Sequence, residues 1–181
     1  MRRYSLHAVA IVALLVVFGV GSYALAGGTK KFDERLIGYQ EVPAVSTQAT
    51  GRFTAHVAKD DESFTYTLSY TGLEGTVQQS HIHLGQRGVA GGIAVWLCGN
   101  VTNTPAGVQA CPAPPATITG TVTKNDIVGP SGQGLADDDS AAEFAELLRA
   151  MRAGVTYANV HSSKVPTGEI RAQLDDNNKK D

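Results

Sequence analysis

His81-Ile82-His83 puts two imidazoles on alternate positions of one segment. In an extended chain such positions share a face, about 6 to 7 Å apart at the backbone. Rings at that spacing can turn toward a common point, and neutral imidazole is a ready ligand for zinc, copper and nickel. A third histidine, His161, closes the segment Val155-Thr156-Tyr157-Ala158-Asn159-Val160-His161 and shares parity with Tyr157 and Asn159. If the two segments lie side by side, three imidazoles meet on one face. The next segment alternates apolar Ile170, Ala172 and Leu174 with polar Glu169, Arg171 and Gln173, and its polar parity is expected to face Tyr157, Asn159 and His161 across a hairpin. The expected metal ligands are therefore His81, His83 and His161, inside a polar network of Tyr157, Asn159, Glu169, Arg171, Gln173 and Glu41. The plainer reading of the same residues is hydrogen-bonded strand structure, with a Glu169–Arg171 ion pair fixing the strand register.

Other chemistry-bearing residues read more simply. Cys98 and Cys111 stand 13 positions apart in a segment rich in Gly, Pro, Asn and Thr. They lack C-x-x-C spacing and read as a disulfide of an oxidising compartment, stapling a loop for roughly 3 kcal/mol. His56 shares parity with Thr54 and Ala58 and is expected to be an exposed strand residue, while Trp96 is expected in the core. Asp137-Asp138-Asp139 lacks the alternating oxygen ligands of a calcium loop and suits a helix start. No G-x-S-x-G, H-E-x-x-H or P-loop occurs. Glu41, Glu169 and the histidines can in principle supply the acid and base of a hydrolase, but spacing sets no distance between them.

The elements that must position these residues are mostly strands. Phe64, Tyr66, Leu68 and Tyr70 alternate with Thr65, Thr67, Ser69 and Thr71, as in a half-buried strand. The runs 51–58 and 63–71 flank the Lys59–Glu62 turn and form an antiparallel hairpin; further strands are expected at 35–41, 78–84, 92–98, 116–123, 155–161 and 168–174. Phe144, Leu147, Leu148 and Met151 break the pattern with helical spacing, and Ser140, Glu143 and Gly154 mark the ends of a short helix near 140–153. Many strands with one inserted helix predict an all-β fold: an antiparallel Greek-key sandwich or barrel, immunoglobulin-like or superoxide-dismutase-like.

Composition sets the compartment. The 181 residues carry 15 Lys and Arg against 17 Asp and Glu, for a net charge of −2. No long basic run is present to neutralise phosphates, so nucleic acid is excluded as the dedicated partner. Arg2 and Arg3 precede the apolar run Ala8–Val20, and Ala24-Leu25-Ala26 supplies a signal-peptidase site. That run makes roughly 20 Å of helix against the ~30 Å of a bilayer core. Residues 1–26 are thus expected to be a cleaved signal peptide, with an uncleaved anchor as the alternative, followed by a 27–34 linker, a 35–175 domain and a polar 176–181 tail. The mature protein is expected to be secreted or periplasmic, with no stable membrane span.

Three blocks of this sequence resemble the CHRD domain, the repeat found in the extracellular protein chordin and in many bacterial exported proteins. They are Leu36-Ile37-Gly38-Tyr39-Gln40-Glu41-Val42-Pro43-Ala44-Val45, His81-Ile82-His83-Leu84-Gly85, and Tyr157-Ala158-Asn159-Val160-His161 with Pro166-Thr167-Gly168-Glu169-Ile170-Arg171-Ala172-Gln173-Leu174. The resemblance implies a scaffold or interaction role outside the cytoplasm, with an extracytoplasmic protein or surface component of unknown identity as partner. Growth-factor antagonism is not implied, because the cysteine-rich modules of chordin are missing. More loosely, the H-x-H strand with a later histidine resembles the copper side of Cu,Zn superoxide dismutase. Full dismutase chemistry also needs a bridging imidazole and a zinc site, and His56, His81, His83 and His161 are too few to fill both. The leading expectation is a non-enzymatic extracytoplasmic binding or structural module; the alternative is a copper- or zinc-binding domain with a three-histidine site, open to redox chemistry.

Overall fold

A computed structural model describes residues 30–136 and 142–175. The expected signal peptide, the calcium alternative at Asp137–Asp139, the Ser140 cap and the 176–181 tail lie outside the described residues. Alternation sets the rest. Phe64, Tyr66, Leu68 and Tyr70 are all buried, and Phe53 and Ala55 of the preceding strand pack with them. The strands in chain order are β1 Lys31–Ile37, β2 Thr50–Val57, β3 Phe64–Thr71, β4 Val77–Leu84, β5 Gly92–Gly99, β6 Ala116–Val122, β7 Thr156–Ser162 and β8 Ile170–Leu174, with α1 Glu143–Arg152 before β7.

All eight strands form one antiparallel sheet in the order β5-β4-β7-β8-β1-β2-β3-β6. The sheet curls into a nearly closed barrel. The end strand β5 meets the segment that follows β6, where Val95 bridges Ile127 and the Val128 amide donates to the Ala94 carbonyl at 2.9 Å. The seam is reinforced from inside by the Tyr66 hydroxyl, which donates to the Leu97 carbonyl at 2.8 Å. Cys98 and Cys111 lie at disulfide distance, Cα atoms 5.0 Å apart, and tie β5 to the segment leading into β6. Between the sandwich and the barrel left open by the sequence, the chain takes the barrel.

The first strand departs most from expectation, and the last begins at Ile170 rather than 168. The first strand runs 31–37 rather than 35–41, so Lys31–Glu34 of the expected linker are sheet residues, paired in unbroken register from Lys31 opposite His56 to Ile37 opposite Thr50. Asp33 hides the alternation of Phe32 and Leu36 because it serves charge pairs, across to Arg52 of β2 at 2.7 Å and along its own strand to Lys31 at 3.2 Å. The strand stops at Gly38, where a Cβ would collide with the Val45 carbonyl, and the chain turns through the 3-10 segment Gly38–Gln40. The helix forms as its spacing predicts, burying Phe144, Leu147, Leu148 and Met151, and Gly154 takes the left-handed φ of +71° that ends it. At its other end the Glu143 carboxylate accepts the Ala136 amide at 2.5 Å.

Every residue of β7 and β8 is buried, on both parities. One parity, with Ala158, Val160, Ile170, Ala172 and Leu174, joins the barrel core, together with Ile82 of β4. The other carries the polar residues, so a polar face is roofed by loops instead of meeting water.

Loop closure makes the Cys98–Cys111 link a measurable part of stability. Reducing it, or replacing both cysteines with alanine, is expected to destabilise the domain by roughly 3 kcal/mol. Denaturant melts with and without reductant check this; coincident curves contradict a seam held by that link.

Candidate metal centre

Register brings the three histidines together. In β4, His81 stands opposite Asn159 and His83 opposite Tyr157, while Gln79 stands opposite His161 of the same β7 strand. β8 extends the rows, Asn159 facing Arg171 and Tyr157 facing Gln173. With Ile82 in the core, His81 and His83 point to the polar face, and β4 is locally kinked against β5 by register shifts at Ser80/His81 and Ile82/His83. Such bulges re-aim side chains without breaking the sheet.

The rings converge. His81 and His161 have centroids 5.0 Å apart, His81 and His83 5.2 Å, and His83 and His161 6.2 Å. One nitrogen from each ring can be chosen so that all three lie within 4.8 Å of one another. Two ligands of a tetrahedral zinc at ~2.1 Å stand about 3.4 Å apart, so side-chain shifts that close the widest pair by about 1.4 Å make a coordination set.

Hydrogen bonds on the outer nitrogens decide the chemistry of the inner ones. His83 Nδ1 lies 3.0 Å from the Gly91 carbonyl and His161 Nδ1 2.9 Å from the Pro166 carbonyl. A carbonyl oxygen only accepts, so in each neutral ring Nδ1 carries the proton and Nε2 keeps its lone pair. This is how metal-ligating histidines are commonly oriented. His81 Nδ1 sits 3.2 Å from His161 Nε2, and its own Nε2 has no partner. Among the described residues the buried side-chain atoms without a hydrogen bond are Glu41 Oε1, His81 Nε2, His83 Nε2 and Thr156 Oγ1. Two belong to these rings, and such groups are costly unless something satisfies them.

Burial also keeps the rings neutral. It pushes His81 down to about 2, with the neighbouring His161 and His83 adding to the effect, and pushes His83 down to about 4 against the pull of its Gly91 hydrogen bond. Burial likewise holds His161 below the usual histidine range. Neutral imidazole is the ligand form, and three of them without thiolate or carboxylate suit zinc, copper or nickel.

The surrounding network is partly as expected. Arg171 lies over the Tyr157 ring, 3.4 Å from its centroid, and Tyr157 stacks on His83 at 4.7 Å with planes 2° apart. The Arg171 guanidinium donates to the carbonyls of Val89 and Gln86, and Gln173 donates to those of Gly85 and Gly154, so both residues pin the 85–91 loop over the site. Glu41 is buried beside Asn159 and Arg171, and burial raises its carboxyl to about 7 against the lowering effect of Arg171.

Glu169 departs from its expected place. It makes no ion pair with Arg171 and accepts instead from the Thr47 hydroxyl at 2.8 Å, the Glu74 amide at 2.9 Å and the Ser162 hydroxyl. Arg171 takes backbone carbonyls because the loop rather than a carboxylate covers it. Trp96 is half-buried, not core; its ring stands edge-on to His81 at 4.2 Å and walls the centre. His56 is exposed in β2, opposite Lys31, and takes no part. The carbonyls of Gly91 and Pro166 were not foreseeable as ring anchors. The one signal was glycine at 85, 88, 91 and 92, which permits close backbone approach; a Cβ at Gly85 would stand 3.1 Å from the Tyr157 ring.

The buried rings give the metal-free domain a definite pH response. Between pH 4.5 and 6.5 the unfolded chain protonates three histidines whose charged forms burial disfavours in the native state, most strongly His81 and His83, while native Glu41 holds one proton that the unfolded chain releases. The net excess of up to two protons on the unfolded side lowers stability on acidification, by as much as about 2.7 kcal/mol per pH unit. Denaturant midpoints across that range are expected to fall toward acid, and more steeply in Glu41→Gln. A level profile contradicts buried neutral imidazoles.

The family model of the CHRD domain matches residues 32–174. No curated protein and no solved structure shows a match to the chain. Since the matched span includes all three histidines and nearly every described strand, the chain belongs to the CHRD-domain family.

Proposed function

We propose that this chain is an exported, non-enzymatic binding module whose ligand is a zinc or copper ion held by His81, His83 and His161. The observation that carries the reading is the pinning of His83 and His161 through Nδ1 to the Gly91 and Pro166 carbonyls, which leaves their Nε2 atoms unprotonated and facing inward. Copper brings redox chemistry to such a centre; zinc brings structural strength or a polarised water. Glu169 is fully engaged away from the rings, which removes one of the two carboxylates a hydrolase reading relied on. Export is supported by the disulfide-distance pair. No helix among the described residues is long and apolar enough to cross a membrane.

The purely structural alternative keeps the same hydrogen bonds but leaves two buried ring nitrogens, His81 Nε2 and His83 Nε2, without partners. Metal binding relieves that cost, which is why it is preferred. Thermal melting discriminates the two readings. At 100 times its dissociation constant a metal adds about 2.7 kcal/mol, or about 5 to 10 °C for a domain of this size. Zn(II) or Cu(II) is expected to raise the melting temperature by that amount, and His81→Ala, His83→Ala and His161→Ala each to abolish the rise. Protein expressed with export and showing no shift at micromolar metal overturns the reading.

A further inference from the structure

Three imidazoles leave a tetrahedral ion one ligand short. A side chain that lies beside two of these rings is Asn159. Its Oδ1 lies 3.1 Å from His161 Nε2, close to the spacing of two ligands on one ion. Both atoms are hydrogen-bond acceptors once His161 Nδ1–H is engaged by Pro166, so a neutral ring leaves no proton between them. Asn159 also borders His83, although His83 Nε2 has no hydrogen-bond partner. The amide end is oriented from the other side. Asn159 Nδ2 and Glu41 Oε1 meet over Gly168, where an added Cβ would lie 2.9 Å from the first and 2.5 Å from the second. Glu41 Oε1 has no hydrogen-bond partner, and the amide end nearest it is Nδ2, so the NH2 lies on the Glu41 side and the carbonyl oxygen toward the rings. Gly168 at φ +123° leaves room for this pair.

We infer that the Asn159 Oδ1 atom is the fourth ligand, completing an N3O set, with Glu41 as its positioning residue. Such a set of imidazoles and one hard oxygen, with both described cysteines paired, selects a divalent ion over cuprous copper. The inference rests on reading the three histidines as a metal site.

The test uses the whole metal-free protein, titrated with zinc chloride for affinity and cobalt chloride for spectroscopy. The native protein is expected to bind one Co(II) with the strong visible absorption of a four-coordinate ion. Asn159→Ala is expected to bind Zn(II) about 10- to 100-fold more weakly and to lose Co(II) absorption. Asn159→Asp, which keeps an oxygen at the position, is expected to retain the spectrum. Unchanged affinity and spectrum in Asn159→Ala overturn the fourth ligand and leave the three-histidine reading standing; no Zn(II) binding by the native protein overturns that reading itself. Because Asn159 is buried and its replacement also alters packing, the native protein labelled with 15N-asparagine supplies a second measurement. The Asn159 side-chain amide resonance is expected to shift on Zn(II) addition, and a resonance that stays put while zinc binds overturns the assignment.

Discussion

The hydrogen bonds from His83 Nδ1 to Gly91 and from His161 Nδ1 to Pro166 are short links between strand side chains and loop backbones, yet they determine what the face of β4, β7 and β8 can be. With those two protons committed to carbonyls, His83 Nε2 and His161 Nε2 are acceptors, and His81 Nδ1, 3.2 Å from His161 Nε2, is the donor between the rings. A buried group of acceptors is unfavourable by itself and becomes favourable around a cation. The loops at 85–91 and 163–169 therefore serve two purposes: they exclude water from the face and they set the tautomers of the rings beneath.

Holding those loops down is the work of neighbours in the same cross-strand rows. Arg171 binds two carbonyls of the 85–91 loop while lying over Tyr157, which in turn lies flat on His83. The planar guanidinium can do both at once, which a lysine could not. Glu169 anchors the other side by gathering Thr47, Glu74 and Ser162, so the histidine at the end of β7 and the loop after it keep a fixed relation. The barrel supports this from below, since Ile82, Ala158, Val160 and Ile170 fill its core directly behind the polar rows.

Much of this was legible in the sequence because period two is a strong signal. The hairpin of β2 and β3, the H-x-H geometry of β4 and the shared parity of Tyr157, Asn159 and His161 all follow from alternation. What alternation does not carry is the identity of a side chain's partner. Glu169 lies on the expected strand end but finds Thr47 and Glu74, far away in sequence, before it finds Arg171. Trp96 looked like core because it sits in an apolar run, whereas the register shifts in the β4–β5 pair place it at the edge of the histidine cluster. β1 differs from expectation for a related reason: Asp33 pairs with Lys31 along the strand and with Arg52 across it, and these charges mask the buried Phe32 and Leu36.

Anomalous diffraction at the zinc edge, from crystals grown with the protein loaded with Zn(II), addresses the central claim most directly. The expected result is a single strong peak among His81, His83 and His161, about 2.0 to 2.1 Å from one nitrogen of each ring. A peak elsewhere, or none, with the three rings left in their metal-free arrangement, contradicts it.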